Sequence, residues 1–129
     1  MLAVWKRPIR LRDEPAPDGA VLVVRAGLLA SSTVEDTCKK NYREFGFYGV
    51  SVFAALDLPV DELCRAEDAL SRYSRIRVAS CAAVRRNGFP ILPTHRRPHF
   101  DVVLSDLEGD TIDRLTSCFG DDQLNPARA

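Results

Sequence analysis

The chain has 129 residues, an apolar fraction of 46 % and a charged fraction of 28 %, as expected for one globular domain with an ordinary core. Its formal net charge is zero, which argues against a polybasic protein that coats nucleic acid. No apolar run approaches the ~20 residues of a membrane span. The first residues also lack the apolar segment of a signal peptide. We therefore expect a cytoplasmic protein that has no membrane partner.

The organisation predicted from local patterns is one folded domain between two loose ends. Residues 1–19 are expected to form a flexible basic arm and linker, because basic residues precede the proline-containing stretch Asp13–Gly19. Residues 121–129 are expected to be a flexible tail. The domain itself is predicted to span residues 20–120, with no internal repeat.

The first half of the domain is predicted to contain two buried strands and a helix. The apolar run Ala20–Gly27 indicates a strand. A capping box of Ser32 with Glu35 is typical of a helix start, and Gly46 is placed to end that helix. The run Phe47–Leu56 is apolar at almost every position, as in a strand covered on both faces.

The second half is predicted to contain a helix after Pro59, a strand at Arg75–Ser80 and a short helix at Cys81–Arg86. A hairpin of two strands follows, and Pro93 falls inside its first strand, which is therefore expected to be an edge strand or to be bulged, because proline cannot donate to a sheet. A last helix ends at Gly120. The order β-α-β-α-β-α-β-β-α predicts an α+β (mixed α/β) fold, a sheet of about five strands with helices packed on it.

The charges are distributed unevenly along this neutral chain. Residues 69–100 contain no acid but seven arginines, which are Arg72, Arg75, Arg77, Arg85, Arg86, Arg96 and Arg97. Such a window predicts a strongly positive face. The alternative is that these arginines pair with the acids of flanking elements.

The hairpin tip supplies the main candidate site. His95 and His99 flank two arginines there, and two imidazoles beside guanidiniums are suited to acid–base catalysis on a phosphodiester. Asp101 lies on the same face as His99 and is expected to orient its ring. The expected phosphate-binding residues are Arg75, Arg77, Arg96 and Arg97. The alternative is a solvated loop of no catalytic use.

Our leading functional hypothesis is a small bacterial protein that binds a phosphate-rich ligand, RNA above all. If it is an enzyme, the pattern favours a toxin-type ribonuclease that needs neither a metal nor another cofactor. The rival hypothesis is an interaction module without activity. Its edge strand and basic face would then bind a protein partner, such as an antitoxin or a second copy of the chain.

The four cysteines lack C-x-x-C spacing and are expected to be buried, reduced thiols. Cys81 is the one that follows a predicted helix cap, where the positive field of a helix start can activate a thiol. A catalytic role would require a histidine partner for it.

A third hypothesis comes from the first two strands. Arg25 near the end of the first strand, and an aromatic residue with Ser51 on the second, resemble the first two site positions of ADP-ribosyltransferases. The resemblance implies transferase activity on NAD, with release of nicotinamide. This sequence departs from the family at its third position, where no glutamate stands at the expected place.

Overall fold

The structure is a computed structural model that describes residues 9–128. It contains one antiparallel sheet of six strands in the order β4-β5-β2-β1-β3-β6. The strands are β1 (Val21–Arg25), β2 (Tyr48–Ala55), β3 (Arg75–Ser80), β4 (Ile91–Leu92), β5 (His99–Leu104) and β6 (Gln123–Leu124). The helices are α1 (Ser31–Phe45), α2 (Val60–Ala66), α3 (Asp68–Ser71), α4 (Cys81–Arg86) and α5 (Gly109–Ser117).

The predicted α+β class is confirmed, and the sheet has six strands where about five were expected. The additional strand is β6, which lies in the segment expected to be a flexible tail. It pairs with Arg75 and Ile76 of β3, and the following Asn125 is completely buried. A short polar strand of two residues has no apolar run to reveal it, which is why the pattern indicated a tail.

Successive side chains of a strand point to opposite faces of the sheet, and these strands carry apolar residues on both faces. Helices therefore pack on both faces. Helices α1, α4 and α5 pack on one face, against residues such as Leu22, Val52 and Phe100. Helices α2 and α3 pack on the opposite face, against Val23 and Ile76. These two short helices cover only part of their face, so the surface around β2 and β5 there is open to a cleft. Within residues 9–128 no helix is long and apolar enough to cross a membrane.

The start of α1 differs from the prediction. The residue before the helix is Ala30, which makes no side-chain cap, so the capping box of Ser32 with Glu35 does not form. Glu35 instead pairs with Lys39 one turn further along at 2.8 Å. The helix end is as predicted: Gly46 has φ of 91° and donates its N–H to the carbonyl of Tyr42.

The segment expected to be a linker lies against the domain. Ala16 is 2 % exposed, and Ala82 donates its N–H to the carbonyl of Asp18. Arg12 donates its N–H to the carbonyl of Pro93. The prolines of this stretch therefore shape a packed loop. The part of the basic arm that contains Lys6 and Arg7 lies outside the described residues.

Helix α4 has the cap that its sequence predicts. Ser80 Oγ accepts a hydrogen bond from the N–H of Ala83 at 3.1 Å. We expect Ser80→Ala to lower the free energy of unfolding by about 1 kcal/mol, since one N–H at the helix start loses its acceptor. Urea unfolding measures this, and Ser80→Asn, which restores an acceptor, should recover most of the loss. Equal losses in both variants would contradict the assignment of the cap.

Candidate functional site

The sheet order separates the arginines of β3 from the hairpin. Strands β2 and β1 lie between β5 and β3. Arg75 forms an ion pair with Asp122. Arg77 donates to backbone carbonyl oxygens at the end of α5, which are those of Thr116, Phe119 and Gly120. Both guanidiniums therefore bind neighbouring groups of the chain, and they form no continuous phosphate track with the hairpin among the described residues.

The hairpin tip folds back towards β2. Strand β4 is the edge of the sheet, one of the two predicted alternatives, but it ends at Leu92, so Pro93 follows the strand and does not lie inside it. The carbonyl of Pro98 accepts the N–H of Ala54, the next position along β2 after the strand pairing ends. His95 has φ of 56°, a left-handed conformation that is uncommon for a residue with a side chain. The tip therefore contacts the body of the domain.

This fold brings the two histidines together. The ring centroids of His95 and His99 are 4.8 Å apart in an edge-to-face arrangement. His95 also meets the ring of Phe45 at 5.7 Å, and His99 meets the ring of Phe53 at 5.2 Å. Each imidazole is thus fixed by an aromatic neighbour. His95 is exposed, whereas His99 is half-buried.

Thr94 links Asp101 to His99. The Thr94 hydroxyl donates to Asp101 Oδ2 at 2.6 Å and lies 3.0 Å from His99 Nδ1, and the Thr94 carbonyl oxygen lies 3.2 Å from the same nitrogen. The hydroxyl proton is given to Asp101, so both Thr94 oxygens act as acceptors towards His99. We assign the ring proton to Nδ1, which leaves Nε2 with a free lone pair. Asp101 is therefore linked to His99 through Thr94, a residue that the sequence analysis did not select.

The surroundings of His99 keep its imidazole neutral. Burial lowers its pKa below the ordinary value of 6.5, and the neighbouring His95 and Arg12 act in the same direction. The carboxylate of Asp101 and the hydrogen bond to Thr94 oppose this shift. A neutral imidazole with a free Nε2 is the form that accepts a proton at neutral pH.

The two arginines of the tip differ in their surroundings. Arg97 forms ion pairs with Glu14 at 3.1 Å and Asp57 at 2.6 Å, which neutralise its charge locally. Arg96 is exposed and forms no ion pair with any residue in the described part of the chain. Arg96 is therefore the tip arginine that is available to a phosphate.

A cleft lies between the hairpin tip and helix α3. Its inner cavity measures about 270 Å³, and its outer part measures about 470 Å³. The inner walls include Arg25, Ser51, Phe53, Leu70, Tyr73 and His99. The outer walls include Glu67, Asp68, Arg72, His95, Arg96 and Arg97. Phe53, Ala69 and His99 line both cavities, so the two cavities are neighbours that share these walls.

The position of Arg25 and Ser51 follows from strand alternation. Arg25 pairs with Ile76 and Ser51 pairs with Asp101, so both project on the sheet face that α2 and α3 cover only in part. The Arg25 guanidinium lies over the ring of Tyr73, 4.6 Å from its centroid. Tyr73 and Phe53 were not selected from the sequence, because nothing local in their patterns indicates that they meet Arg25 and His99.

One group of side chains has the composition of a metal site. The ligand atoms of His95, His99 and Asp101 lie within 4.8 Å of one another. Two of these three groups, His99 and Asp101, already share the hydroxyl of Thr94. These hydrogen bonds use Nδ1 of His99 and Oδ2 of Asp101, so Nε2 of His99 and the second carboxylate oxygen are not engaged by Thr94.

The cysteines have the surroundings of ordinary buried thiols. Cys38, Cys64 and Cys81 are buried and Cys118 is half-buried, and all four are free. Burial raises the pKa of the Cys81 thiol, although the nearby Arg85 opposes the shift. A thiol of raised pKa is a poor nucleophile at neutral pH, which disfavours a catalytic role for Cys81.

Comparison of this chain with protein-family models, with curated proteins and with solved structures finds no match. Function must therefore be argued from the geometry of the cleft. The relevant groups are an arginine, a serine and a neutral histidine at the inner cavity, with cationic side chains outside it.

Proposed function

We propose that the cleft binds NAD and breaks the bond between its nicotinamide and ribose, with water or an acceptor hydroxyl receiving the ADP-ribosyl group. The observation that carries this proposal is that Arg25, Ser51 and His99 line one cavity. Arg25 and Ser51 are also the two positions that resemble ADP-ribosyltransferases. His99 is a third polar side chain at the same cavity.

The inner cavity suits the nicotinamide ring. Its walls of Phe53, Leu70 and Tyr73 offer flat and apolar surface to an aromatic ring. The Ser51 hydroxyl can donate a hydrogen bond to the oxygen of the nicotinamide carboxamide and accept one from its nitrogen. Arg25, at the same cavity, supplies a cation for an adjacent phosphate.

The outer cavity suits the pyrophosphate and the second nucleoside. Arg72 and Arg96 line it, and neither forms an ion pair within residues 9–128. Each guanidinium can bind two oxygens of one phosphate. Two such side chains on one wall therefore suit a ligand with two linked phosphates. Glu67 and Asp68 on the same wall can accept hydrogen bonds from ribose hydroxyls.

The chemical step requires little more than these groups. The C–N bond breaks, its electron pair leaves with the pyridinium ring, which becomes neutral nicotinamide, and positive charge develops on the ribose carbon. The attacking water or hydroxyl adds to that carbon and gives its proton to Nε2 of His99. With water, the products are nicotinamide and ADP-ribose.

Binding and cleavage of RNA is the second candidate function. It is supported by the contact of His95 with His99 beside the available Arg96. Phosphodiester transfer in line needs an acid and a base on opposite sides of the phosphorus, whereas these two rings touch edge to face. The ion pairs of Arg75 and Arg97 also remove two of the four expected phosphate ligands. These points favour NAD over RNA as the ligand.

The non-enzymatic interaction module is the third candidate. Strand β4 has a free edge, which supports docking of a protein partner or a second copy of the chain. Docking of a partner on a strand edge does not require a cleft that contains a neutral histidine. NAD is an intracellular compound, so our proposal keeps the expectation of a cytoplasmic protein.

The test is an assay of NAD cleavage in which chromatography measures the nicotinamide that is released. We expect the wild-type protein to release nicotinamide, and Arg25→Gln and Ser51→Ala to lower kcat/KM about 10- to 100-fold each, since each removes a group that binds the substrate. Arg86→Gln is the matched control, because Arg86 is exposed on α4, which packs on the opposite face of the sheet.

Absence of nicotinamide release by the wild-type protein, together with salt-dependent RNA binding, would replace the NAD proposal by the RNA hypothesis. A stable protein complex with neither activity would favour the interaction module. Equal activity of all three variants would contradict the assignment of the cavity.

A further inference from the structure

Arg12 reaches the hairpin tip from the N-terminal segment. Its N–H donates to the carbonyl of Pro93, so the backbone of this segment runs beside the end of β4. Its Nη1 donates to the carbonyl of Thr94 at 2.6 Å and to the carbonyl of His95 at 3.1 Å. One guanidinium thus holds two consecutive carbonyls of the tip, more than 80 residues away in the chain.

The carbonyl of Thr94 is shared. It accepts from Arg12 Nη1 and also lies 3.2 Å from His99 Nδ1. A displacement of this carbonyl therefore changes the hydrogen bond that selects the tautomer of His99. The guanidinium also lies over the ring of Phe100, 4.9 Å from its centroid, and Phe100 is the neighbour of His99 on β5.

We propose that Arg12 is a positioning residue for His99, acting through the backbone of the hairpin tip. It holds the Thr94 carbonyl where that oxygen accepts from Nδ1, so that Nε2 stays free for the cleft. The role of His99 as a base rests on the proposed function. The arrangement of Arg12, Thr94 and His99 stands independently of it.

The surroundings of Arg12 speak against a merely stabilising role. Its Nε and Nη2 atoms are buried, and neither has a hydrogen-bond partner among residues 9–128. Two buried donor atoms without a partner cost free energy, although the residue as a whole is half-buried, and no acid within the described residues forms an ion pair with Arg12. An apolar side chain of similar length would pack on Phe100 without this cost. Stability alone therefore does not account for an arginine here.

Several charged groups surround His99 and act on it together. Arg12 behind the tip and His95 beside it disfavour the imidazolium form, and Asp101 of β5 favours it. Across the outer cavity the wall from α2 to α3 carries Glu67, Asp68 and Arg72, and the tip carries Arg96 and Arg97. Two members of this set contact the hydrogen-bonding network of His99 directly, Arg12 at the Thr94 carbonyl and Asp101 at the Thr94 hydroxyl.

The test compares Arg12→Met and Arg12→Lys with Arg10→Met, a change at an exposed arginine in the same segment. The imidazole of His99 is titrated by NMR in each full-length protein, and thermal unfolding is measured in parallel. We expect Arg12→Met to raise the pKa of His99, because a repelling charge is lost, and to shift the neutral ring away from the Nδ1–H tautomer, read from its ¹⁵N chemical shifts in the same titration, because the Thr94 carbonyl is released. The melting temperature should stay unchanged or rise. Arg10→Met should leave all of these quantities at their wild-type values.

Arg12→Lys separates charge from geometry. It keeps the positive charge, but its ammonium ends one bond short of the Nη1 position that donates to both carbonyls, so we expect a smaller shift for His99 and a loss of nicotinamide release of about tenfold. An unchanged titration of His99 in folded Arg12→Met would overturn the proposal. A strongly destabilised Arg12→Met would also overturn it, by making Arg12 a structural residue. If the wild-type protein does not cleave NAD, the titration still decides the positioning role, and only the proposed function fails.

Discussion

Replacing His99 by glutamine is expected to lower the initial rate of nicotinamide release by about 10²- to 10⁴-fold, the usual contribution of a positioned general base. The glutamine amide can still donate to the Thr94 carbonyl that His99 Nδ1 approaches at 3.2 Å, but it cannot accept a proton. Substrate binding should change much less, because Arg25 and Ser51 remain at the cavity. Initial rates at several NAD concentrations separate kcat from KM and measure this difference.

The pH dependence gives the same role a second test. The pKa of His99 is lowered from 6.5 mainly by burial, so the imidazole stays neutral below the pH at which a free histidine is protonated. The wild-type rate should therefore be constant above pH 6.5 and fall only at more acidic pH, where His99 binds a proton. His99→Gln should lose this acidic limb.

His95→Gln is the matched control for His99. His95 is exposed, and within residues 9–128 its ring makes aromatic contacts with Phe45 and His99 but no hydrogen bond, so its loss should lower the rate far less than the loss of His99. A small upward shift of the acidic limb is expected with it, because His95 lowers the pKa of His99. Equal losses in both variants would show that the two imidazoles act as a pair, as the ribonuclease hypothesis requires.

The same lowered pKa affects stability in a defined direction. The unfolded chain binds a proton at His99 near pH 6.5, whereas the folded protein binds it only at lower pH. Between these two values the unfolded state holds more protons, so acidification lowers the free energy of unfolding. His99→Gln should remove this part of the acid sensitivity.

The elements with strong periodic patterns could be predicted from the sequence. Strand β5 alternates between the buried Phe100 and Val102 and a face that carries His99, as its sequence indicates. The edge position of β4 followed from Pro93. The order of strands could not be predicted, because it depends on contacts between residues far apart in the chain, and local periodicity carries no information on such contacts.

The candidate site could likewise be predicted only where it depends on residues that are close together in the chain. His95 and His99 were found because two histidines in one tight hairpin must lie close together. Arg75 and Arg77 were grouped with them only by a run of like charge, and a charge run does not say which acid or carbonyl each side chain will meet. Arg12 and Tyr73 were missed because they contact residues far away in the chain, Thr94 and Arg25 respectively. Thr94 was missed because its contact with His99 depends on how the hairpin tip folds back.

The wall of the inner cavity depends on a residue of the last segment. Asn125 is completely buried, and its side-chain amide donates to the carbonyls of Leu70 at 2.8 Å and Tyr73 at 2.7 Å. Its side-chain oxygen accepts the N–H of Ala127 at 3.0 Å. One side chain thus joins the end of α3 to the segment after β6. Because α3 is a single turn, its position depends on such contacts and not on its own helical hydrogen bonds.

Asn125→Ala is expected to lower the free energy of unfolding by about 2–4 kcal/mol, since two buried carbonyls and one N–H lose their partner together. Gln123→Ala, at an exposed position of β6, should change it by less than about 0.5 kcal/mol. Denaturant unfolding measures both. Nicotinamide release by Asn125→Ala is assayed well below the melting temperature of this variant. The loss of activity should come mainly from a higher KM, because Leu70 and Tyr73 line the cavity, whereas His99, the proposed base, lies on another element. A stability loss with unchanged KM would mean that Asn125 supports the fold without setting the shape of the cleft.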